Sequence, residues 1–309
     1  MKENAAQTPT IGNGAASTAG VLKAAPSVRM MARKLGIDLD KVQGTGPAGR
    51  ILIEDLSRHV APGASLAPKP AADYGQPGTR IKFAGLRRKI AEHMVHSKHT
   101  IPHYTYVDEC DVTDLVKLRE SLKEPFATKG IKLTYLAFFV KAVVAALKEV
   151  PIVNATLDEE AGEIVLHDQY HVGIAVAAPS GLIVPVVRAA DQKGLLDVAK
   201  EIERLSTDAR QGRSKLDDLR GGTFTITSIG NLGGLFATPI ILHPQVGILG
   251  IGKIVKRPMF DERGQIKAVD MVYLSLAFDH RVLDGAAGAA FGNALIKQLQ
   301  NPAVMLMPG

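Results

Sequence analysis

Hydrophobic and polar positions divide the chain into two patterned regions, joined by stretches that show no periodicity. Residues 1–24 and 61–79 consist largely of small and polar residues, with several prolines in the second stretch. Such stretches bury too little apolar surface to offset the entropy of ordering them, and prolines keep them extended. We therefore predict a flexible linker at 1–24, a small module at 25–60, an Ala/Pro-rich linker at 61–79 and a large domain at 80–309.

The small module reads as two short helices around a tight loop. Pro26 at the start and Gly36 at the end are typical of a helix over residues 26–36, and the apolar spacing after residue 50 indicates a second helix. A unit this small usually needs a metal or disulfides, and its sequence offers neither. Three arginines suggest a basic stripe that favours partner binding over a merely solvated helix face: Arg29, Arg33 and Arg50.

The large domain alternates helical and strand patterns. Helices are predicted at 85–99, 113–122, 131–150, 195–211 and 288–300. Strands are predicted at 104–112, 163–166, 172–177, 182–187, 223–228, 246–251 and 269–278. Because strands and helices occur in mixed order, we predict an α/β fold with a large mixed sheet and helices packed on it.

Composition narrows the class of protein. With one cysteine, Cys110, the chain cannot form an internal disulfide, which fits a reducing compartment. Cys110 lies in an alternating run and reads as a strand residue rather than a nucleophile. The longest apolar stretch contains Lys141 and Lys148, so a buried helix is favoured over a membrane span. Residues 1–20 lack the apolar core of a signal peptide, so we predict a soluble protein of the cytoplasm, or of the mitochondrial matrix in a eukaryote.

The net charge is +6 and is unevenly distributed. Between residues 80 and 98 the single acid Glu92 stands among six basic side chains. They are Arg80, Lys82, Arg87, Arg88, Lys89 and Lys98. Stacking aromatic residues are scarce nearby and no nucleic-acid motif is present, so we predict no nucleic-acid partner. A solvated helix face or a phosphate-bearing cofactor remains as the explanation.

The strongest candidate for chemistry is a histidine at the end of the last apolar strand. The run 272–278 is followed by residues 279–285, DHRVLDG. Imidazole is the side chain whose ordinary pKa suits a general base near pH 7, which makes His280 a candidate. Asp284 would orient the local backbone or bind a cation. From this pattern alone, a hydrogen-bonded core histidine is an equally good interpretation.

A second group of histidines raises the alternative of a metal site. His93, His96, His99 and His103 fall within eleven residues, and two of them share a helix face. No cysteine or carboxylate completes a zinc pattern around them. We therefore predict no metal site.

Several segments together resemble the dihydrolipoamide acyltransferases, the core components of 2-oxo acid dehydrogenase complexes. Residues 279–285 resemble the family's active-site signature. Further similar segments are 181–186 (GLIVPV), 221–230 (GGTFTITSIG) and 244–250 (PQVGILG). Residues 26–29 (PSVR) and 44–47 (GTGP) resemble the family's peripheral subunit-binding domain. The resemblance covers 26–60 and 80–309, and the combination of the two domains in this order makes it specific.

The resemblance implies a fold and an assembly. The large domain is expected to have the chloramphenicol acetyltransferase-like fold, in which the active site lies at a subunit boundary and a trimer is the minimal functional unit. Family members build cubic or dodecahedral shells from such trimers. The small domain is expected to recruit the decarboxylase or dihydrolipoamide dehydrogenase, with Arg29, Arg33 and Arg50 facing acidic groups of the partner.

The resemblance also implies a reaction, the transfer of an acyl group between the thiols of dihydrolipoamide and coenzyme A. A thiol with a pKa of about 8.5 needs a base, for which His280 is suited, and the tetrahedral oxyanion needs a donor, which matches Thr227. Asp284 corresponds to a supporting aspartate, with Arg88 as the expected ion-pair partner. Coenzyme A contacts are expected at Arg119, Thr134 and Ser228.

One departure from the family pattern concerns the lipoyl domain, which the sequence lacks. Either the chain is a fragment of a longer protein or a separate chain supplies the lipoyl group. Residues 101–104 and 130–134 resemble the acetyl and branched-chain members more than the succinyl ones. Two other hypotheses remain: a non-catalytic assembly scaffold, and a stand-alone small-molecule acetyltransferase of the same fold.

Overall fold

The computed structural model describes residues 23–57, 75–179, 181–230 and 233–306. The chain divides into two compact units, residues 1–80 and 81–309. The linkers predicted at 1–24 and 61–79 lie largely outside the described residues. Within the described part of the chain, no helix combines the length and apolar character that crossing a membrane requires.

The small unit contains the two predicted helices, α1 (Pro26–Leu35) and α2 (Ile53–Ser57), with 3-10 turns at Leu39–Lys41 and Pro47–Gly49 between them. Gly36 ends α1 with a φ of 67°, a left-handed conformation that suits glycine. The core consists of five buried aliphatic side chains: Val28, Ala32, Val42, Ile51 and Leu56. The sequence interpretation of this module as helical is therefore confirmed.

A buried carboxylate organises the glycine-rich loop of this unit. Asp55 is 2% exposed, and its two oxygens accept hydrogen bonds from the Thr45 amide (2.9 Å), the Thr45 hydroxyl (2.7 Å) and the Leu52 amide (2.9 Å). Hydrogen bonds to a buried charge are strong, and they offset the cost of removing the carboxylate from water. Asp55 thus links the glycine-rich loop at Thr45 to α2, a stabilising contact that was not predicted from the sequence.

The large unit is built on a seven-stranded mixed sheet. The sheet strands are β1 (His103–Asp111), β4 (Val172–Ile174), β7 (Val186–Val187), β8 (Phe224–Ser228), β9 (Gly247–Ile251), β10 (Val255–Phe260) and β11 (Ile266–Asp279). Their order in the sheet is β1-β11-β9-β8-β4-β7, with β10 paired to β11. Two ribbons lie outside it: β2 (Ala155–Asp158) with β3 (Glu163–Leu166), and β5 (Val176–Ala178) with β6 (Gly181–Ile183). Among the paired strands of the described residues, β4–β8 and β8–β9 are parallel and the remaining pairs of the sheet are antiparallel.

Four helices close the main core on one face of this sheet. They are α4 (Thr113–Ala127), α5 (Tyr135–Glu149), α6 (Leu195–Arg210) and α7 (Gly285–Gln300). Helix α3 (Leu86–Thr100) lies apart from this core: its buried Ser97 donates to the Ile241 carbonyl (2.6 Å), and Ile241 packs with Ile248 and Ala277 on the opposite face of the sheet. Nine residues of α5 are buried, as its long apolar run predicts. Phe224 of β8 and Phe278 of β11 both pack against Phe291 of α7 in this core. The predicted α/β class with a mixed sheet is confirmed.

The strand predictions fail where the chain leaves one sheet for another. Residues 172–177 form β4 in the main sheet and then β5 in a ribbon, and residues 182–187 divide in the same way into β6 and β7. The apolar pattern runs unbroken through both changes because each ribbon is also partly buried. Neither β2 nor β10 was predicted. Most residues of β10 are exposed, so the strand lacks an alternating apolar pattern. It also contains Pro258, which is tolerated on an edge strand.

Candidate active site

His280 lies immediately after β11, with its side chain exposed. Its backbone amide donates to the Pro102 carbonyl (3.1 Å), and its ring packs against the Tyr104 ring at a centroid distance of 4.6 Å. The Tyr104 hydroxyl donates to the Asp284 carbonyl (2.6 Å). Tyr104 therefore contacts the imidazole while it holds the end of the loop that carries it.

Asp284 immediately precedes α7 and is its N-cap. Its carboxylate accepts a hydrogen bond from the Ala287 amide (2.8 Å), the usual role of an aspartate at a helix N-terminus. The first turn of α7 also lies close to β1. At Gly288 the approach is so close that a Cβ would clash with the hydroxyl of Tyr104 on β1. Asp284 thus fixes where the histidine loop turns into the helix.

Arg281 and Asp279 form an ion pair on either side of His280. Arg281 Nη2 is 2.7 Å from Asp279 Oδ2, and the Arg281 backbone amide donates to Asp279 Oδ1 at 3.0 Å. The Asp279 side chain is 2% exposed. Arg281 Nη1 also donates to Oε1 of Glu159 (2.9 Å) in the turn between β2 and β3. This group was not predicted from the sequence, although the opposite charges two residues apart around His280 are a local signal for the Asp279–Arg281 pair.

His103 is a structural residue near the same loop. It lies opposite Asp279 in the β1–β11 pair, its Nδ1 is 2.9 Å from the Ile101 carbonyl, and its Nε2 accepts from the Ile241 amide (3.0 Å). This arrangement requires the neutral imidazole, and burial lowers the His103 pKa accordingly. The described residues contain no group of three or more His, Cys, Asp or Glu side chains arranged to hold a metal.

Thr227 lies on β8, and within a single chain it is far from His280. In the sheet, Thr227 is level with Gly250 of β9, which is level with Ser275 of β11. Ser275 precedes His280 by five residues. At about 3.3 Å per residue and about 4.8 Å per strand, Thr227 and His280 are on the order of 20 Å apart. The two predicted catalytic residues are therefore separate within a single chain.

Neighbouring residues of β8 point to opposite faces of the sheet. Ile226 belongs to the core under the helices, so Ser228 is on that side and is exposed at the strand end. Thr227 shares the other face with Thr225, whose hydroxyl donates to Gln245 Oε1 (2.7 Å). Thr227 is only half-buried and lies on the sheet face opposite the main core.

The expected ion pair between Arg88 and Asp284 is not formed in this chain. Arg88 Nε bonds instead to Glu92 Oε1 at 2.8 Å, and both side chains are exposed. Glu92 lies one helical turn farther along α3, within easy reach, while the Asp284 carboxylate is engaged with α7.

Two of the three predicted coenzyme A contacts are neighbours. Arg119 Nε donates to the Leu133 carbonyl (3.2 Å), and its guanidinium lies 4.7 Å from the centroid of the Tyr135 ring. Thr134, between these two residues, is the N-cap of α5. Ser228 has no such link to them among the described contacts.

The three predicted docking arginines are exposed on the small unit. Arg29 and Arg33 are one turn apart on α1. Arg29 Nε donates to the Ala24 carbonyl (3.2 Å), and Ala24 pairs with Ile51, next to Arg50. This pairing brings Arg50 to the same end of α1 as Arg29.

Comparison with known families gives two matches that together cover most of the chain. Residues 75–307 match the model of the 2-oxoacid dehydrogenases acyltransferase (catalytic domain). Residues 22–57 match the e3 binding domain.

Curated relatives match nearly the full length. The dihydrolipoyllysine-residue acetyltransferase component of the Bacillus subtilis pyruvate dehydrogenase complex is 41% identical over 302 residues, covering 92% of this chain and 68% of the relative. The lipoamide acyltransferase component of the Pseudomonas aeruginosa branched-chain alpha-keto acid dehydrogenase complex is 44% identical over 288 residues, covering 92% and 67%.

Solved structures share the fold of the large unit. A probable dihydrolipoamide acetyltransferase from Listeria monocytogenes is 41% identical, with a TM-score of 0.70 over 73% of this chain and 95% of that one. The Azotobacter vinelandii dihydrolipoamide acetyltransferase is 34% identical, with a TM-score of 0.72 over 78% and 98%. With these identities and coverage, the chain belongs to the 2-oxoacid dehydrogenase acyltransferase family, with an e3 binding domain preceding the catalytic domain.

Proposed function

We propose that this protein transfers an acetyl or branched-chain acyl group between dihydrolipoamide and coenzyme A, as the core subunit of a 2-oxo acid dehydrogenase complex. The observation that carries the proposal is the exposed His280 imidazole, held between Tyr104 and the cap of α7. A buried structural histidine would be enclosed and hydrogen-bonded through both ring nitrogens, as His103 is.

In the proposed reaction His280 takes the proton from the attacking thiol, and the thiolate forms a bond to the thioester carbonyl carbon. The carbonyl electron pair moves to oxygen, and the Thr227 hydroxyl donates a hydrogen bond to the resulting oxyanion. Collapse of the intermediate breaks the original C–S bond, and the leaving thiolate receives the proton from the imidazolium. The same steps in reverse transfer the group the other way.

Because Thr227 and His280 are on the order of 20 Å apart in one chain, we propose that each site combines His280 of one subunit with Thr227 of a neighbour. A head-to-tail contact of this kind closes into a ring, and a trimer is the expected ring. One similar structure is the cubic core of a pyruvate dehydrogenase multienzyme complex, at 35% identity and a TM-score of 0.72, which supports assembly of such trimers into a shell.

The Azotobacter structure supports the choice of His280 and of position 284. That investigation addressed the role of one serine, one histidine and one asparagine in the catalytic mechanism, and the histidine and asparagine are four positions apart, as are His280 and Asp284. An aspartate and an asparagine both cap a helix well. The serine stands 52 positions before the histidine, a spacing that falls on Ser228 here and one residue after Thr227. Ser228 is therefore the rival oxyanion donor.

Coenzyme A is proposed to bind through Arg119, Thr134 and Ser228. Arg119 is 18% exposed and lies beside the N-terminus of α5, where a guanidinium and helix amides favour a phosphate. The lipoyl group is proposed to come from a domain outside these 309 residues.

The test of the function is coenzyme A-dependent transfer by the assembled protein from acetyl-, isobutyryl- and succinyl-dihydrolipoamide. We expect turnover of the acetyl or the isobutyryl donor at least about tenfold faster than of the succinyl donor, since a site built for an uncharged acyl group offers the succinyl carboxylate no partner. If a correctly assembled oligomer turns over none of the three, the catalytic proposal fails and the assembly scaffold replaces it.

We propose that the small unit docks dihydrolipoamide dehydrogenase, or the decarboxylase, through Arg29, Arg33 and Arg50. Docking is expected to weaken at least about fivefold between 50 and 300 mM NaCl, because exposed charges are screened by salt. Titration calorimetry of the full chain with each partner measures this dependence. Arg33→Ala should weaken docking and flatten the salt dependence, and Lys41→Ala, on the turn after α1, should do neither. Salt-insensitive docking would contradict the electrostatic account.

A further inference from the structure

Glu159 is a second charged group that contacts the histidine loop from a distant part of the chain. It lies 122 residues before Arg281 and accepts from Arg281 Nη1 at 2.9 Å. Among the described residues, Glu159 is the one side chain outside residues 279–281 that hydrogen-bonds the Arg281 guanidinium. On the other side, Arg281 is held by Asp279. The guanidinium therefore connects the residues flanking His280 to the turn between β2 and β3.

The turn that presents Glu159 is well fixed. Asp158 Oδ1 accepts from the amides of Glu160 (3.1 Å) and Ala161 (3.0 Å). At the base of the β2–β3 ribbon, the buried Asn154 side chain donates to the carbonyls of His167 and Gln169, both at 3.0 Å. The ribbon is also joined to the rest of the unit by a bridge between Thr156 and Gln245. Glu159 is thus delivered by an internally hydrogen-bonded turn on a ribbon that is anchored at its base.

The surroundings of the pair are ionisable, and the described residues place no third carboxylate in contact with Arg281. His243 lies nearby: burial lowers its pKa, His96 and Arg281 lower it further, and Glu159 opposes them. His96 packs edge-on against His243, and His93 Nε2 is 3.2 Å from the His243 carbonyl. In this cluster of basic side chains, Glu159 and Asp279 are the carboxylates that Arg281 contacts.

We propose that Glu159 is a positioning residue for acyl transfer, acting through Arg281 to hold the loop that carries His280. The proposal rests on the function proposed above. The Arg281 and Glu159 side chains are 29% and 50% exposed, so their pair adds little to global stability. Its effect is local: it restricts the turn in which the amides of Val282 and Leu283 bond to the Asp279 carbonyl, and with it the direction of the imidazole.

The test combines kinetics with hydrogen exchange on the assembled full chain. Glu159→Ala is expected to lower kcat by about twofold to fivefold, with the KM for coenzyme A changed less than about 1.5-fold, as the loss of one partly exposed pair implies. Glu159→Gln should lose less, because its amide oxygen still accepts from Arg281. Glu160→Ala, which removes the next carboxylate of the turn, should match the wild type. Amides of the segment 279–285 should exchange faster in Glu159→Ala, and those of α5 should not.

Any of three results would overturn the proposal: a kcat for Glu159→Ala within about 1.5-fold of the wild type, unchanged exchange in the segment 279–285, or an equal loss of activity in Glu160→Ala. Faster exchange in α5 would reveal general destabilisation, and Glu159→Gln then provides the decisive comparison. Failure of the proposed function has a different signature, since the wild type itself would be inactive while exchange would still report whether Glu159 holds the loop.

Discussion

His280→Ala is expected to lower kcat for acyl transfer by about 10²–10⁴-fold, the usual contribution of a positioned general base. At neutral pH the substrate thiol is mostly protonated, so its attack on the thioester depends on the imidazole. The KM for coenzyme A should change little, because the proposed contacts of coenzyme A lie elsewhere. Steady-state kinetics with the preferred acyl donor measure both constants.

The control is His99→Ala, which removes an exposed histidine of α3. This variant should retain wild-type kcat. Sedimentation of both variants checks that the oligomer is intact, because the His280 side chain makes a ring contact with Tyr104 that truncation removes. If assembled His280→Ala kept more than about a tenth of the wild-type kcat, His280 would not be the base.

Thr227→Val is expected to lower kcat by about 10²–10³-fold, the effect of removing one oxyanion donor. Valine keeps the shape of the side chain and removes only the hydroxyl, and Thr227→Ser should preserve most of the activity. Ser228→Ala distinguishes the rival donor. If Ser228 contacts coenzyme A as proposed, its loss raises KM and spares kcat; if Ser228 is the donor, the loss of kcat appears in Ser228→Ala instead of Thr227→Val.

Mixing the two inactive variants tests the composite site. When His280→Ala and Thr227→Val subunits are co-assembled in equal amounts, about a quarter of the sites should combine an intact His280 from one subunit with an intact Thr227 from its neighbour. The mixture should therefore recover about a quarter of the wild-type rate, while each variant alone stays inactive. If both residues came from the same chain, no mixture would recover activity.

Much of the fold could be predicted from local sequence patterns. The continuous apolar run over residues 131–150 predicted α5, and Pro26 and Gly36 marked the bounds of α1, because helix starts, ends and burial are set by neighbouring residues. The strand predicted at 269–278 ends beside His280, as β11 does. The resemblance to the acyltransferases and to their small domain was confirmed by the comparisons.

Sequence-based prediction was wrong where one apolar run divides into strands that pair with different partners. Residues 172–177 kept one apolar pattern although the chain passes from the main sheet to a ribbon at Ala175, whose amide bonds to the Ile226 carbonyl. Pairing between strands is decided by segments far apart in the chain, and one apolar run fits either sheet. The exposed edge strand β10 has no buried face that would impose a pattern.

The sequence by itself determined the family, the two-domain order and the candidate base His280, because each depends on contiguous motifs. Only the tertiary structure decided the contacts across the site. In it, Thr227 and His280 are separated by several strand positions. Arg88 forms its ion pair with Glu92 and not with Asp284, and Arg281 bonds to Glu159, 122 residues away in the chain. Such contacts follow from how the sheet and its ribbons pack, and no local spacing of residues records them.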